Sequence, residues 1–216
     1  MKKCNICKNE VFDLGPNGRK SFDGFSLPRC TKCQSLERHR ALRDFWLHLP
    51  LKYLLSKNVL QFSTDLSVDK TWFNSYEVSI YGGENSIDLQ NINRSDASYD
   101  IINCVHVLEH VPEDRVALLE MMRVINNHGF IVLSVPDPFH REVTIDWGYP
   151  KEEQHGHFRI YGKDINQFFE QNIGNEFFEQ IVIEDPITSS QDYVFVISNN
   201  KRVLEFIKIL IVSEYP

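Results

Sequence analysis

Residues 99–136, YDIINCVHVLEHVPEDRVALLEMMRVINNHGFIVLSVP, decide the fold, because a buried strand, a polar turn, a helix and a second buried strand follow without a break. The apolar runs Ile101 to Val107 and Phe130 to Val135 are too short for helices and do not alternate. Such runs belong to strands covered on both faces. Between them, Pro112 with Glu113 and Asp114 suits a first helical turn, and Leu118, Met121, Met122 and Ile125 form an apolar stripe. Gly129 reads as the helix stop. Strand, helix and strand in this order make the right-handed crossover of a parallel sheet. The segment His106 to Pro112 then leaves the carboxyl edge of the sheet, where open α/β sheets bind ligands.

The flanks supply the rest of an α/β domain. Val59 to Phe62 and the run YEVSIY from Tyr76 read as strands before the central unit. A helix within Ile160 to Ile173, strands over Phe177 to Glu184 and Tyr193 to Ser198, and a turn at Pro186 follow it. The tail VLEFIKILIV from Val203 is more apolar than a free end and is expected to pack on its own sheet or on a second copy, a possible homodimer contact.

Four of five cysteines form two pairs, Cys4 with Cys7 and Cys30 with Cys33, separated by 22 residues. Two such turns can complete a tetrahedral, closed Zn²⁺ site. A segment with few large apolar residues needs that staple, and a disulfide pairing is the alternative. Cys104, inside IINCV, reads as a small apolar filler. From Ser35 to Lys57, Leu42, Phe45, Trp46 and Leu49 repeat at helical spacing, with Pro50 marking a bend or end. The expected organisation is a zinc ribbon over 1–35, a linking helix over 36–57, a catalytic-type domain over 58–200 and an apolar tail over 201–216.

The chain has 216 residues and a net charge of −7, unevenly spread. Residues 1–50 carry ten Lys or Arg against five Asp or Glu, leaving thirteen against twenty-five in the remainder. A basic leader on an acidic body can mean a phosphate-bearing partner, or a zinc module whose thiolates offset its lysines. The acidic body disfavours nucleic acid as a partner. No apolar run approaches the ~20 residues of a membrane span, and Met-Lys-Lys leads into cysteines, so the expected compartment is the cytoplasm.

The pattern YDII, HVLEHVPED, MMRVI and HGFIVLSVP resembles the seven-stranded, Rossmann-like methyltransferases that use S-adenosylmethionine. CNIC with CTKCQSLERHR, and HFRIYGKD at 157–164, resemble a subgroup with an N-terminal zinc ribbon. The resemblance implies a mostly parallel seven-stranded sheet with helices on both faces and an antiparallel terminal hairpin. It also implies an S-adenosylmethionine site formed by Gln61, Ser63 and Asp65 after the first strand, His106 after the fourth, and Asp88 of SIDL near the adenine. Two departures stand out. Gln61, Ser63 and Asp65 occupy positions where the family usually has an acid and glycines, and Ile80 and Tyr81 replace the carboxylate that binds ribose, with Glu84 the nearest acid.

The segment 136–164, PDPFHREVTIDWGYPKEEQHGHFRIYGKD, has little periodicity and reads as a long loop forming the acceptor pocket. Methyl transfer to a hydroxyl needs alignment and a base near neutral pH. His157, His110 and His155 are the candidate catalytic bases, and Arg159, Tyr161 and Arg38 the candidate acceptor contacts, with His39 and Arg40 beside Arg38. No H-x-x-x-H lies on a convincing helix, which weighs against a histidine metal site. By the resemblance, the expected activity is O-methylation of a sugar, nucleotide-sugar or glycan end. The alternatives are a non-catalytic binding protein with a degenerate donor site and an RNA methyltransferase.

Overall fold

A computed structural model describes residues 2–83 and 85–212. The leader holds a short antiparallel pair, β1 (Phe12–Asp13) with β2 (Arg29–Cys30), between the two cysteine turns. Helices α1 (Glu37–Leu47) and α2 (Leu51–Leu54) follow, broken where Pro50 caps the second. The strands β3 (Asn58–Phe62), β4 (Ser75–Ser79) and β5 (Tyr99–Val105) lead to α3 (Asp114–Val124) and β6 (Ile125–Ser134). A hairpin of β7 (Ile145–Lys151) and β8 (His157–Ile160) precedes α4 (Ile165–Ile173), then come β9 (Phe178–Glu184), β10 (Gln191–Ile197) and α5 (Lys201–Val212).

The central sheet has the order β4-β3-β5-β6-β10-β9, parallel from β4 to β6 and antiparallel over β10 and β9. Among the described residues it has six strands, not seven. After β4, the segment SIDL makes only the bridge Asp88 to Asn91. The chain reverses its direction of winding at β3, which opens a crevice at the carboxyl ends of β3 and β5.

β5 shows why the sheet is a two-sided core. Successive side chains of a strand point to opposite faces, so Ile102 and Cys104 pack with α3 and α4, while Ile101 and Val105 pack with α1 and α5. In α3, Ala117, Leu118, Met121 and Val124 are the buried stripe. The tail α5 packs on its own sheet through Leu204, Ile207 and Ile211, against Phe130, Val132, Val194 and Val196. No helix of the described residues is long and apolar enough to cross a membrane.

Gly129 does not end the helix. α3 stops at Val124 and β6 starts at the next residue, with Gly129 inside the strand. A Cβ there would collide with the Asp100 carbonyl oxygen, so this glycine serves a close backbone approach. The leader is tied to the sheet by a buried ion pair. Arg40 donates to both Asp185 carboxylate oxygens at 2.8 and 2.7 Å, and to the Ser35 carbonyl at 2.8 Å.

Candidate active site

The crevice at the carboxyl ends of β3, β4 and β5 is a cavity of about 770 Å³. Ser63, Ile80, Asp88 and His106 line it. Two of these sit at backbone positions that suit glycine: Ser63 has φ +63° and His106 has φ +53°. The first turn is fixed by Ser63 N–H donating to the Ser79 carbonyl at 2.8 Å. The chain thus takes the left-handed turn at Ser63 without the residue that adopts it most easily. Asp88 holds its own loop, its Oδ1 accepting from the Gln90 N–H at 2.8 Å.

The remaining donor-side expectations do not match the geometry. Gln61 is buried at 2 % exposure and spent on its neighbours. Its amide donates to the Ser63 carbonyl at 2.8 Å, and its oxygen accepts from Asn103 at 2.8 Å and from the Tyr76 hydroxyl. It shapes the loop from behind and does not line the cavity. Asp65 closes a local turn, accepting from the Ser67 N–H at 2.7 Å and from its hydroxyl, and also lies off the cavity wall. Ile80 and Tyr81, at the place of the ribose-binding carboxylate, follow the end of β4, and Ser79, the last residue of that strand, accepts from the Ile87 N–H through its Oγ at 2.9 Å. Glu84 lies outside the described residues.

A second cavity of about 720 Å³ shares His106 and His110 with the first. Its walls come from the leader (Lys20, Phe22), from Arg38 at the start of α1, from Asp137 after β6, and from the β7–β8 hairpin. The segment 136–164 is therefore not a loop throughout: β7 and β8 pair antiparallel, Ile145 with Ile160 and Asp146 with Arg159. The interrupted register between Asp146 and Lys151 hid the pairing from any period-two reading. His155, at φ +59° in the turn, and His157, at the start of β8, face this cavity with Glu109 and His110. Ring centroids of His110 and His157 lie 4.5 Å apart, edge to face. Burial lowers the His157 pKa to about 4, with His110 and His155 contributing, and pushes His106 well below its usual value. Burial raises Glu109 to about 8.

Arg159 and Tyr161 are not acceptor contacts in this structure. Arg159, 4 % exposed, donates to Asp146 at 2.8 Å and to the carbonyls of Val111 and Pro112 at 2.7 Å each. Tyr161, 2 % exposed, donates to Asp114 at 2.7 Å. Both brace the turn between β5 and α3 against the hairpin. Of the RHR run in α1, only Arg38 reaches the second cavity. Arg40 is consumed by Asp185, and the His39 ring accepts from the Leu36 N–H at 3.0 Å.

In the leader, Cys4, Cys7, Cys30 and Cys33 converge, all four sulfurs within 4.8 Å of one another. The Cys4–Cys33 and Cys7–Cys30 separations are 3.7 and 3.5 Å. Tetrahedral bonds of ~2.3 Å from zinc put sulfurs about 3.8 Å apart, whereas a disulfide is ~2 Å. The donor set and spacing fit a four-thiolate metal site.

Sequence reasoning missed Glu109, since nothing in HVLEH says that its carboxylate turns inward. It also missed Lys20 and Phe22 of the leader, which meet the sheet edge only through the tertiary fold.

Solved structures with a similar fold include a candidate methyltransferase of Bacillus halodurans (19% identity, covering 65% of this chain and 67% of that chain, TM-score 0.48). Others are the YcgJ protein of Bacillus subtilis (16%, 66% and 70%, 0.46) and an S-adenosylmethionine-dependent methyltransferase of Thermotoga maritima (13%, 73% and 86%, 0.45). No curated protein matches the sequence. A family model described as a methyltransferase domain matches residues 33–172, well over half of the chain. With its parallel sheet and a cavity at the sheet's carboxyl edge, the chain belongs to the methyltransferase-domain family, enzymes that take their methyl group from S-adenosylmethionine.

Proposed function

We propose that the chain transfers a methyl group from S-adenosylmethionine, bound in the first cavity, to a hydroxyl of a sugar, nucleotide-sugar or glycan end bound in the second. The observation that carries this reading is the junction of the two cavities at His106 and His110. A sulfonium methyl held on one side meets an acceptor oxygen on the other, and alignment of this kind is most of what the reaction needs. The second cavity carries Lys20 and Arg38 beside Asp137 and Asp192, a mixed polar lining suited to a hydroxyl-rich, phosphate-bearing acceptor. His157, His110 and His155 surround the acceptor side, in reach of a departing hydroxyl proton. On the donor side, Ser63, Asp88 and His106, which line the first cavity, hold the cofactor. The four cysteines hold one structural Zn²⁺, which fixes the leader as a wall of the acceptor cavity.

The absence of a carboxylate at Ile80 favours one second reading, a binding protein that no longer holds the donor. Calorimetric titration of S-adenosylmethionine into zinc-loaded protein separates the two. One-site micromolar binding, followed by transfer of labelled methyl to members of a sugar and nucleotide-sugar panel, is the expected result. Silence at millimolar donor selects the second reading, and transfer only to RNA or to a non-sugar acceptor overturns the acceptor class.

A further inference from the structure

Glu109 is fully buried, yet among the described residues nothing apart from its own main-chain N–H donates to either carboxylate oxygen. Buried carboxylates are ordinarily paired or bound to a metal. Arg38 lies on the same cavity but makes no ion pair with Glu109 among the described residues. What does surround the carboxylate is imidazole. A ring nitrogen of His110, a ring nitrogen of His157 and a Glu109 oxygen lie within 4.8 Å of one another, and Nδ1 of His157 is buried without a partner.

The geometry points to a divalent cation site formed by Glu109, His110 and His157 at the junction of the two cavities. Two imidazoles and one carboxylate select a first-row ion such as Mn²⁺, Fe²⁺, Co²⁺ or Zn²⁺ over the all-oxygen preference of Ca²⁺. Bonds of roughly 2.0–2.2 Å need only a small inward movement of side chains already this close. The supports have the form that metal-bound histidines require. Gly156 of the hairpin turn lines the same cavity wall as the His110 ring, and its main chain is the kind of outer partner that orients a metal-bound imidazole. Arg159 grips the carbonyls of Val111 and Pro112 and the carboxylate of Asp146, clamping the turn that bears Glu109 and His110 to the hairpin that bears His157.

Three protein ligands leave coordination positions open, and these face the second cavity. The role of those positions rests on the function proposed above: they take the acceptor oxygen. The oxygen, bound to the cation, loses its proton to His155, the one of the three candidate bases that is not a ligand, and forms its bond to the methyl carbon as the carbon–sulfur bond breaks and S-adenosylhomocysteine leaves.

The test uses the full chain carrying one equivalent of Zn²⁺, titrated with Mn²⁺ and read by electron paramagnetic resonance. The expected result is one Mn²⁺ per chain, with affinity reduced at least tenfold in Glu109→Gln and in His157→Gln and unchanged in His128→Gln, a change at an exposed histidine. Melting temperature and S-adenosylhomocysteine binding, measured on each variant, report folding independently of the cation. Failure of the native chain to take Mn²⁺ at millimolar concentration overturns the site, as does equal binding by folded Glu109→Gln and His157→Gln chains. If Mn²⁺ binds as expected but S-adenosylhomocysteine does not, the cation site stands and the transferase reading falls.

Discussion

The thiol cluster of the leader and the Glu109 cluster of the sheet edge are both sets of convergent metal-ligating side chains, built in opposite ways. Each thiol pair comes from one tight turn, Cys4 with Cys7 and Cys30 with Cys33, so the spacing of the sequence already carries half of the geometry. Glu109 and His110 come from a turn after β5, and His157 from a strand almost fifty residues later. No local pattern links them. They meet where Arg159 and Tyr161 tie the two segments together. A site written in short-range spacing survives as a motif, while one written in tertiary contacts depends on the buried residues that hold its halves.

The largest effect is expected at the thiols. Removing the Zn²⁺ proposed for this cluster with a chelator, or Cys30→Ser, should take away a staple whose counterpart in small zinc modules is worth about 10–16 kcal/mol. Hydrogen exchange should show amide protection lost across residues 2–35 and kept in β5 and β6. Undiminished protection in the leader would mean that β1, β2 and their contacts suffice without metal.

Next is the joint between leader and sheet. Arg40 and Asp185 are both fully buried, and the carboxylate also accepts from Thr188 N–H at 3.1 Å and Oγ1 at 2.7 Å. Arg40→Met leaves that charge unpaired and should cost about 3–5 kcal/mol in urea unfolding of the zinc-loaded protein. The double change Arg40→Met with Asp185→Leu should recover part of it, since the penalty comes from the orphaned partner. An equal or greater loss in the double variant would show that the Thr188 contacts dominate.

Arg159 carries the contrast into the second cluster. Arg159→Lys keeps the charge but cannot reach two carbonyls and Asp146 at once. Loss of a charged hydrogen bond of this kind is worth about 1.5–3 kcal/mol. The expected result is that loss of stability together with weaker Mn²⁺ binding and full zinc content. Unaltered Mn²⁺ affinity would show that the β8 end of the site is positioned by the hairpin alone.

The same division explains what could be read before the fold was known. Residues 99–136 announced strand, helix and strand because Ile101, Ile102 and Cys104 are apolar on both faces, and the structure places them so. The C-x₂-C pairs announced the thiol cluster for the same reason of local spacing. Gly129 is ambiguous in sequence because a stop signal and a close-approach glycine look alike in one dimension, and only the Asp100 carbonyl tells them apart. Arg159 and Tyr161 resemble acceptor contacts in the sequence because arginine and tyrosine in an aperiodic stretch look like a binding loop. Their partners, Val111, Pro112 and Asp114, lie far back in the chain. Hairpin β7–β8 escaped for a third reason, its broken register.

The smallest effect concerns how the donor cavity is written. Ser63 adopts φ +63°, and the left-handed region costs a non-glycine residue roughly 1–2 kcal/mol. Glycine at that position removes the strain but adds about 0.5–1 kcal/mol of unfolded-chain entropy, so Ser63→Gly should stabilise by about 0.5 kcal/mol. For a chain of this size that is a rise of roughly 1–2 °C in Tm. Ser63 lines the cavity, and its N–H is already committed to the Ser79 carbonyl, which leaves the hydroxyl and the turn's shape as the two ways it can serve the donor. If shape is what matters, Ser63→Gly binds S-adenosylhomocysteine as tightly as the native chain or more so, because the backbone approach improves. A drop of tenfold or more would make the hydroxyl a direct contact, and the departure from glycine at this turn would then be a substitution that does chemical work at the cofactor.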